Sequence, residues 1–194
     1  MPLDKLTIIG AGLLGGSIGL AARARGLARR VSALVRRPES LAECQALGIA
    51  NEVTLDPAEA VAGADLVVLC TPISGMAGLA KRTLPDLKPG TVITDVGSTK
   101  QQLVAELTPL CAGAGARFVG SHPMAGSDQT GPSAARADLF DGTVCVVTPT
   151  SDTDADALAT VNDFWAGLGS RPVVMPADTH DRLVARCSHL PHLL

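Results

Sequence analysis

The sequence predicts a doubly wound α/β fold built on a mainly parallel sheet, and three observations point to it. Short apolar runs alternate with helical patterns from residue 6 to residue 120. Those runs lack the polar alternation of a sheet with one wet face, so both faces are expected to be covered. A glycine-rich turn also joins the first apolar run to the first helical pattern. Strand–helix alternation of this kind favours a parallel sheet under helices on both sides.

The elements follow in order. Residues 6–9 read as a short buried strand, and 13–25 as a helix with small residues on one side. The apolar stretch 31–35 is the second strand, and 39–47 a helix stopped by Gly48. A weak strand over 52–54 leads into a short helix over 57–62. Residues 66–70 form a strongly apolar strand ended by Thr71 and Pro72, with a helix following over 75–84. Then come a strand at 92–95, a helix at 99–111 and a strand at 117–120. The remainder is less regular: a strand at 144–148, a helix at 154–167 and a strand at 173–175. A last helical pattern opens at Ala177 and is still running at Leu194, which leaves an apolar face to be covered by a partner or by further chain.

Bulk properties exclude several classes. The 194 residues suffice for one domain and the start of another, and 46% hydrophobic content argues against disorder. Tyr is absent and three Phe and one Trp are present, so there is little surface for stacking exposed bases. A net charge of -3 without a basic stripe gives nucleic acid no electrostatic footprint. Five cysteines without a CxxC pair favour buried, reduced thiols and a cytoplasmic location. The uncharged run 6–22 is too short and glycine-rich for a membrane span, and Asp4 before Lys5 does not suit a signal peptide.

Two ends of the chain carry chemistry. Gly10, Gly12 and Gly15 follow a strand and open a helix, with Leu13 and Leu14 between them. The first glycine permits the tight turn, the second lets backbone approach a pyrophosphate, and the third lets helix and strand pack closely. That is a Rossmann-like dinucleotide turn, with the helix N-terminus favouring phosphate charge. Thr71 and Pro72, at the end of a neighbouring strand, are assigned to the same cofactor site. The end of the second strand would carry an acid to hold the ribose of NAD. Here it carries Arg36 and Arg37. Two cations without a carboxylate suit the 2′-phosphate of NADP, the other reading being a solvated loop pair. NADP is therefore expected over NAD, with dual use left open.

At the second end, Asp95-Val96-Gly97-Ser98-Thr99-Lys100 closes a strand and starts a helix, where open α/β sheets bind ligands. Ser98 reads as the helix N-cap, as a hydroxyl aimed into a site, or as both. His122 ends the next strand on the same edge, and a neutral imidazole there could take a hydroxyl proton. A structural turn histidine is the alternative. His189 and His192 share a helix face, but two ligands fall short of the three or four that zinc usually takes, so no metal is expected.

Four segments in this order span nearly the whole chain: GLLGGSIG at 12–19, DVGSTK at 95–100, GSHPMAGS at 120–127 and SHLPH at 188–192. In them the chain resembles the prephenate dehydrogenase family, which includes arogenate and cyclohexadienyl dehydrogenases. The resemblance implies NAD(P)-dependent oxidative decarboxylation of prephenate to 4-hydroxyphenylpyruvate in tyrosine biosynthesis, with arogenate as the alternative substrate. It implies that His122 accepts the proton of the ring hydroxyl while hydride leaves the same carbon for the nicotinamide. Loss of carbon dioxide then restores the aromatic ring. Ser98 would hydrogen-bond His122 or the substrate hydroxyl. Ser127 and Asp128 fall at substrate-contacting positions, the second where the family often carries Glu. Ser188 and His192 would reach the substrate from the final helix, which Pro191 should bend. Relatives continue into a mostly helical domain that forms a homodimer and supplies an arginine for a substrate carboxylate. Residues 1–176 would then be the dinucleotide-binding domain, and 177–194 the first helix of a truncated helical substrate and dimerisation domain. The rivals are a β-hydroxyacid dehydrogenase, which lacks a histidine in the Pro-Met-Ala-Gly setting of His122, and a nucleotide-binding module without turnover.

Overall fold

The structure, a computed structural model, describes residues 2–186. Ser188, His189 and His192 lie outside the described residues. Six parallel strands form the main sheet in the order β3-β2-β1-β4-β5-β6. They are β1 (Leu3–Ile9), β2 (Ala28–Leu34), β3 (Glu52–Thr54), β4 (Leu66–Leu69), β5 (Val92–Asp95) and β6 (Arg117–Phe118). The order reverses between β1 and β4, which opens a crevice at the carboxyl ends of these strands. The connecting helices are α1 (Leu13–Ala24), α2 (Pro38–Ala46), α3 (Pro57–Val61), α4 (Ile73–Thr83) and α5 (Gln101–Ala112).

Both faces of this sheet are buried, which is why its strands read as continuous apolar runs. Side chains alternate across a strand. Leu6 and Ile8 of β1 therefore join Ile18 of α1 in one core cluster. Ile9, Val67 and Leu69 join Met76 of α4 and Leu107 of α5 in the other. β1 begins at Leu3, three residues before the apolar run. The Asp65 carboxylate accepts from the Asp4 and Lys5 backbone N–H groups, and Lys5 Nζ donates to the Glu59 and Ala62 carbonyls. Polar partners thus extend the strand where hydropathy alone would start it later. The helix predicted over 75–84 similarly begins at Ile73, directly after Pro72.

One expectation needs correction. The stretch 117–120 is not a single strand ending before His122. Val119 still donates to the Ile93 carbonyl of the main sheet, but the chain then leaves it. β7 (Gly120–Pro123) pairs antiparallel with β8 (Val144–Thr148), and β8 pairs parallel with β9 (Arg171–Val174). His122 therefore sits inside a strand of a second, three-stranded sheet, opposite Val146. The departure happens at a glycine for a steric reason. A Cβ at Gly120 would lie 2.6 Å from Thr148 Oγ1 and 2.9 Å from Val104 Cγ2. The strand predicted at 173–175 is β9, which begins two residues earlier.

Between the two sheets lies α6 (Ala155–Gly167), capped by the Asp154 carboxylate on the Ala157 N–H. Its Trp165 is fully buried and meets Phe140 and Phe164 edge-to-face. The last described helix, α7 (Ala177–Val184), begins where the sequence placed it and buries His180 and Val184 while leaving Leu183 exposed. Cys44, Cys70, Cys111 and Cys145 are free thiols, and burial pushes Cys44 to about 11 and Cys111 to about 12. No helix of the described residues is long and apolar enough to cross a membrane.

Candidate active site

The glycine turn is built by the backbone alone. Gly10 adopts φ +98, a left-handed conformation that only glycine takes without strain. Its N–H donates to the Leu34 carbonyl at 3.0 Å, which ties the turn to the end of β2. Gly15 is the packing glycine: a Cβ there would sit 2.0 Å from the Gly10 carbonyl oxygen. Gly12 differs, since a Cβ there would meet nothing within 4 Å among the described residues. It is the N-cap of α1 and offers no side-chain cap, and the first turn holds no acidic residue. The first N–H to find a helical carbonyl is that of Gly16, on Gly12. The N–H groups of Leu13, Leu14 and Gly15 thus open the helix, where the helix dipole favours an anion. Across the turn, Thr71 Oγ1 is buried and has no hydrogen-bond partner among the described residues. The open space over Gly12, the uncapped helix and the orphaned hydroxyl fit a dinucleotide pyrophosphate. Arg36 and Arg37 are exposed just past β2, and neither joins an ion pair among the described residues.

The histidine side is built from side chains far apart in sequence. Asp95 and Lys100 form an ion pair with both side chains fully buried. The Asp95 carboxylate also accepts from the Ser121 N–H at 3.0 Å and the Gly97 N–H at 2.7 Å. Lys100 Nζ donates to the Ser121 carbonyl at 2.9 Å. Ser121 Oγ donates to the Asp95 carbonyl, lies 2.8 Å from Thr94 Oγ1 and accepts from Trp165 Nε1. Every polar group of Ser121 is therefore held, which fixes the strand position next to His122. The His122 ring meets His180 of α7, with Nδ1 2.9 Å from His180 Nε2. His180 Nδ1 in turn lies 2.7 Å from Asp181 Oδ1. Asp181 also accepts from the Lys100 and Gln101 backbone N–H groups at 2.7 and 2.9 Å. Burial alone would raise the Asp181 pKa. The hydrogen bonds from Gln101, His180 and Lys100 outweigh it and hold the carboxyl below its ordinary value.

The reading of Ser98 as the α5 N-cap is corrected by this arrangement. The helix starts at Gln101 with Lys100 as N-cap, and the cap comes from Asp181, some 80 residues away. Ser98 lies exposed on the rim of a cleft of about 570 Å³. Leu14, Thr71, Pro72, Ser98, His122 and Ala125 all line that cleft, which brings the cofactor-side and histidine-side residues together. The hydrogen bond at His122 Nδ1 goes to His180 and not to Ser98. Ser127 and Asp128 are not brought to the cleft: they lie on the exposed loop past Ala125, with Ser127 Oγ donating to Asp128 Oδ1. Ser188 and His192 lie outside the described residues. Among the described residues, no three His, Cys, Asp or Glu side chains are placed to hold a metal ion. The sequence reading passed over His180, Asp181 and Trp165 as candidates. Their one local sign is a His-Asp pair in the first turn of an amphipathic helix, which says nothing of what it faces.

The comparisons with known proteins bear on the whole of this arrangement. Residues 18–174 match the family described as prephenate dehydrogenase, nucleotide-binding domain. A cyclohexadienyl dehydrogenase from Zymomonas mobilis is 36% identical over 189 residues; these cover 97% of this chain and 64% of that protein. The chain thus spans less than two thirds of that relative's length. Among solved structures, prephenate dehydrogenase from Aquifex aeolicus, in complex with hydroxyphenyl propionate and NAD+, is similar with a TM-score of 0.92 at 31% identity. That match covers 100% of this chain and 67% of the other. Arogenate dehydrogenase from Synechocystis is similar with a TM-score of 0.90 at 30% identity, over 97% of this chain and 66% of the other. With a family match over most of its length and the same fold at this level of identity, the chain belongs to the prephenate dehydrogenase family.

Proposed function

We propose that the protein carrying this chain catalyses the NAD(P)-dependent oxidative decarboxylation of prephenate to 4-hydroxyphenylpyruvate in tyrosine biosynthesis. One observation carries the reading: Leu14 of the dinucleotide turn, Thr71 and Pro72 line a single cleft with His122. The nicotinamide, when bound, supplies the hydride acceptor. The helix α1 N-terminus and Gly12 receive the pyrophosphate, and Thr71 and Pro72 flank it. His122 takes the proton of the ring hydroxyl as the carbon bearing it is oxidised. The bond to the departing carboxylate breaks, and its electron pair completes the aromatic ring. The phenolate oxygen that results takes a proton back, so no net proton is released. Ser98 on the cleft rim orients the substrate hydroxyl, and Ser127, Asp128, Ser188 and His192 are the further substrate-binding residues of this reading.

Residues 1–176 act as the dinucleotide-binding domain. Residues 177–194 open a helical substrate and dimerisation domain, through which the protein forms a homodimer in the cytoplasm. Arogenate differs from prephenate by an amino in place of a keto group on the side chain, and it is the second substrate to try. The deciding experiment follows reduced-nicotinamide absorbance with each substrate. Growth together with 4-hydroxyphenylpyruvate supports the prephenate reading. Growth with arogenate alone moves the substrate, and none with either, cofactor binding intact, leaves a nucleotide-binding module.

Arg36 makes NADP the favoured cofactor, through a charge-assisted contact to the 2′-phosphate. Arg36→Ala should weaken NADP about tenfold or more, the scale of one such bond, while NAD affinity barely moves. Equal effects on both would remove Arg36 from the 2′-phosphate.

A further inference from the structure

His180 and Asp181 form with His122 a chain of hydrogen bonds that has a direction. An ionised carboxylate only accepts, so His180 Nδ1, 2.7 Å from Asp181 Oδ1, must carry the proton of that bond. If His180 carries that one proton alone, its Nε2 is an acceptor. The group 2.9 Å from it is His122 Nδ1, which must therefore be an N–H. A neutral His122 with its proton on Nδ1 has its lone pair on Nε2. That is the state a general base needs. The rings meet at 5.1 Å and 73°, close to edge-on.

The carboxylate at the head of the chain is itself pinned. Asp181 holds two backbone N–H groups at the start of α5, so it cannot swing away from His180 without uncapping that helix. His180 has no exposed side-chain surface, and Val184 is buried on the same helix. Trp165 and the Asp95–Lys100 pair fix the neighbouring Ser121 on the other side.

We propose that His180 and Asp181 are positioning residues that hold His122 in the Nδ1–H tautomer and stabilise the imidazolium it becomes. This rests on His122 being the base of the reaction proposed above. When His122 takes the substrate proton on Nε2, its Nδ1–H remains bonded to His180 Nε2, whose other nitrogen faces a carboxylate. The new positive charge is thus met through one intervening ring, and the proton stays on His122. A second nitrogen held in this way is how proteins generally choose which imidazole nitrogen reacts.

The test reads the tautomer directly. In protein labelled with 15N-histidine, the His122 resonances are assigned by their loss in His122→Asn. The expected spectrum shows a pyrrole-like Nδ1 and a pyridine-like Nε2. In His180→Gln, the amide can donate or accept and so dictates neither state, while the Asp181 cap is untouched. His122 should then populate both tautomers, and kcat should fall by about tenfold or more with the KM for cofactor unchanged, since correct tautomer is a large part of base catalysis. Asp181→Asn should do the same. Wild-type tautomer and wild-type kcat in His180→Gln would overturn the proposal, as would an Nε2–H tautomer in the unmodified protein. Absence of turnover on prephenate and arogenate by the unmodified protein would defeat the functional reading instead. The tautomer measurement would still decide this one.

Discussion

The two halves of the cleft are made of different material. The glycine turn is a backbone object: three glycines, a helix N-terminus and one N–H bond to a neighbouring strand define it. The histidine side is a side-chain object, and its parts come from β5, α5, β7, α6 and α7. A backbone site is written where it stands, because the residues that shape it are consecutive. A side-chain site is written across the chain, with bonds joining residues as many as 81 positions apart. The first is robust to distant change and intolerant of local change. The second should show the reverse.

The largest effect expected from that contrast lies at Lys100. Lys100→Met removes one member of a fully buried ion pair and leaves the Asp95 carboxylate without its counter-ion. Loss of about 3–5 kcal/mol is the usual scale for breaking such a pair. Thermal unfolding should show it, even though Lys100 is 21 residues from Ser121, the strand residue it anchors. Unchanged stability would mean that the histidine side is held locally after all.

Next in size is His122→Asn. Turnover should drop about 100-fold or more, as for loss of a general base, with the dissociation constant for the cofactor little changed. A parallel loss of cofactor affinity would show that the two halves are not separable. Smallest, and sharpest as a contrast within one turn, are two glycine substitutions. Gly15→Ala forces a methyl to within 2.0 Å of the Gly10 carbonyl and should cost about 1–3 kcal/mol of stability, as overpacking does. Gly12→Ala meets nothing within 4 Å among the described residues, so its melting temperature should hold while cofactor affinity falls. If Gly12→Ala bound cofactor normally, the open space over Gly12 would not be the pyrophosphate site.

The same contrast explains what could be read from the sequence. The parallel sheet and its flanking helices were legible because each strand is buried on both faces and is bounded by turn residues such as Gly48 and Pro72. The order of those strands places the glycine turn at the crevice without further information. His122 stood out in its Pro and Gly setting, but its position was not legible. Nothing in Arg117 to Pro123 signals that the chain changes sheets at Gly120, since the neighbours that leave no room for a Cβ there, Thr148 and Val104, come from other elements. The cap alternative for Ser98 failed for a related reason. Serine before a helix is the local expectation, and a carboxylate arriving from α7 overrides it. His180 and Asp181 stood in plain view as a helix start, with their partners on other elements.

The Asp181 cap on α5 has a consequence for how the protein is made. All six strands of the parallel sheet are complete by Phe118, and the histidine emerges from the ribosome soon afterwards. His180, which its ring meets, follows 58 positions later. At roughly 5–20 residues per second, that is a delay of roughly 3–12 s. On the proposed mechanism, a nascent chain in this interval holds every glycine of the nucleotide turn but not the ring that would choose which nitrogen of His122 reacts. Translation thus separates the arrival of the nucleotide turn from that of His180.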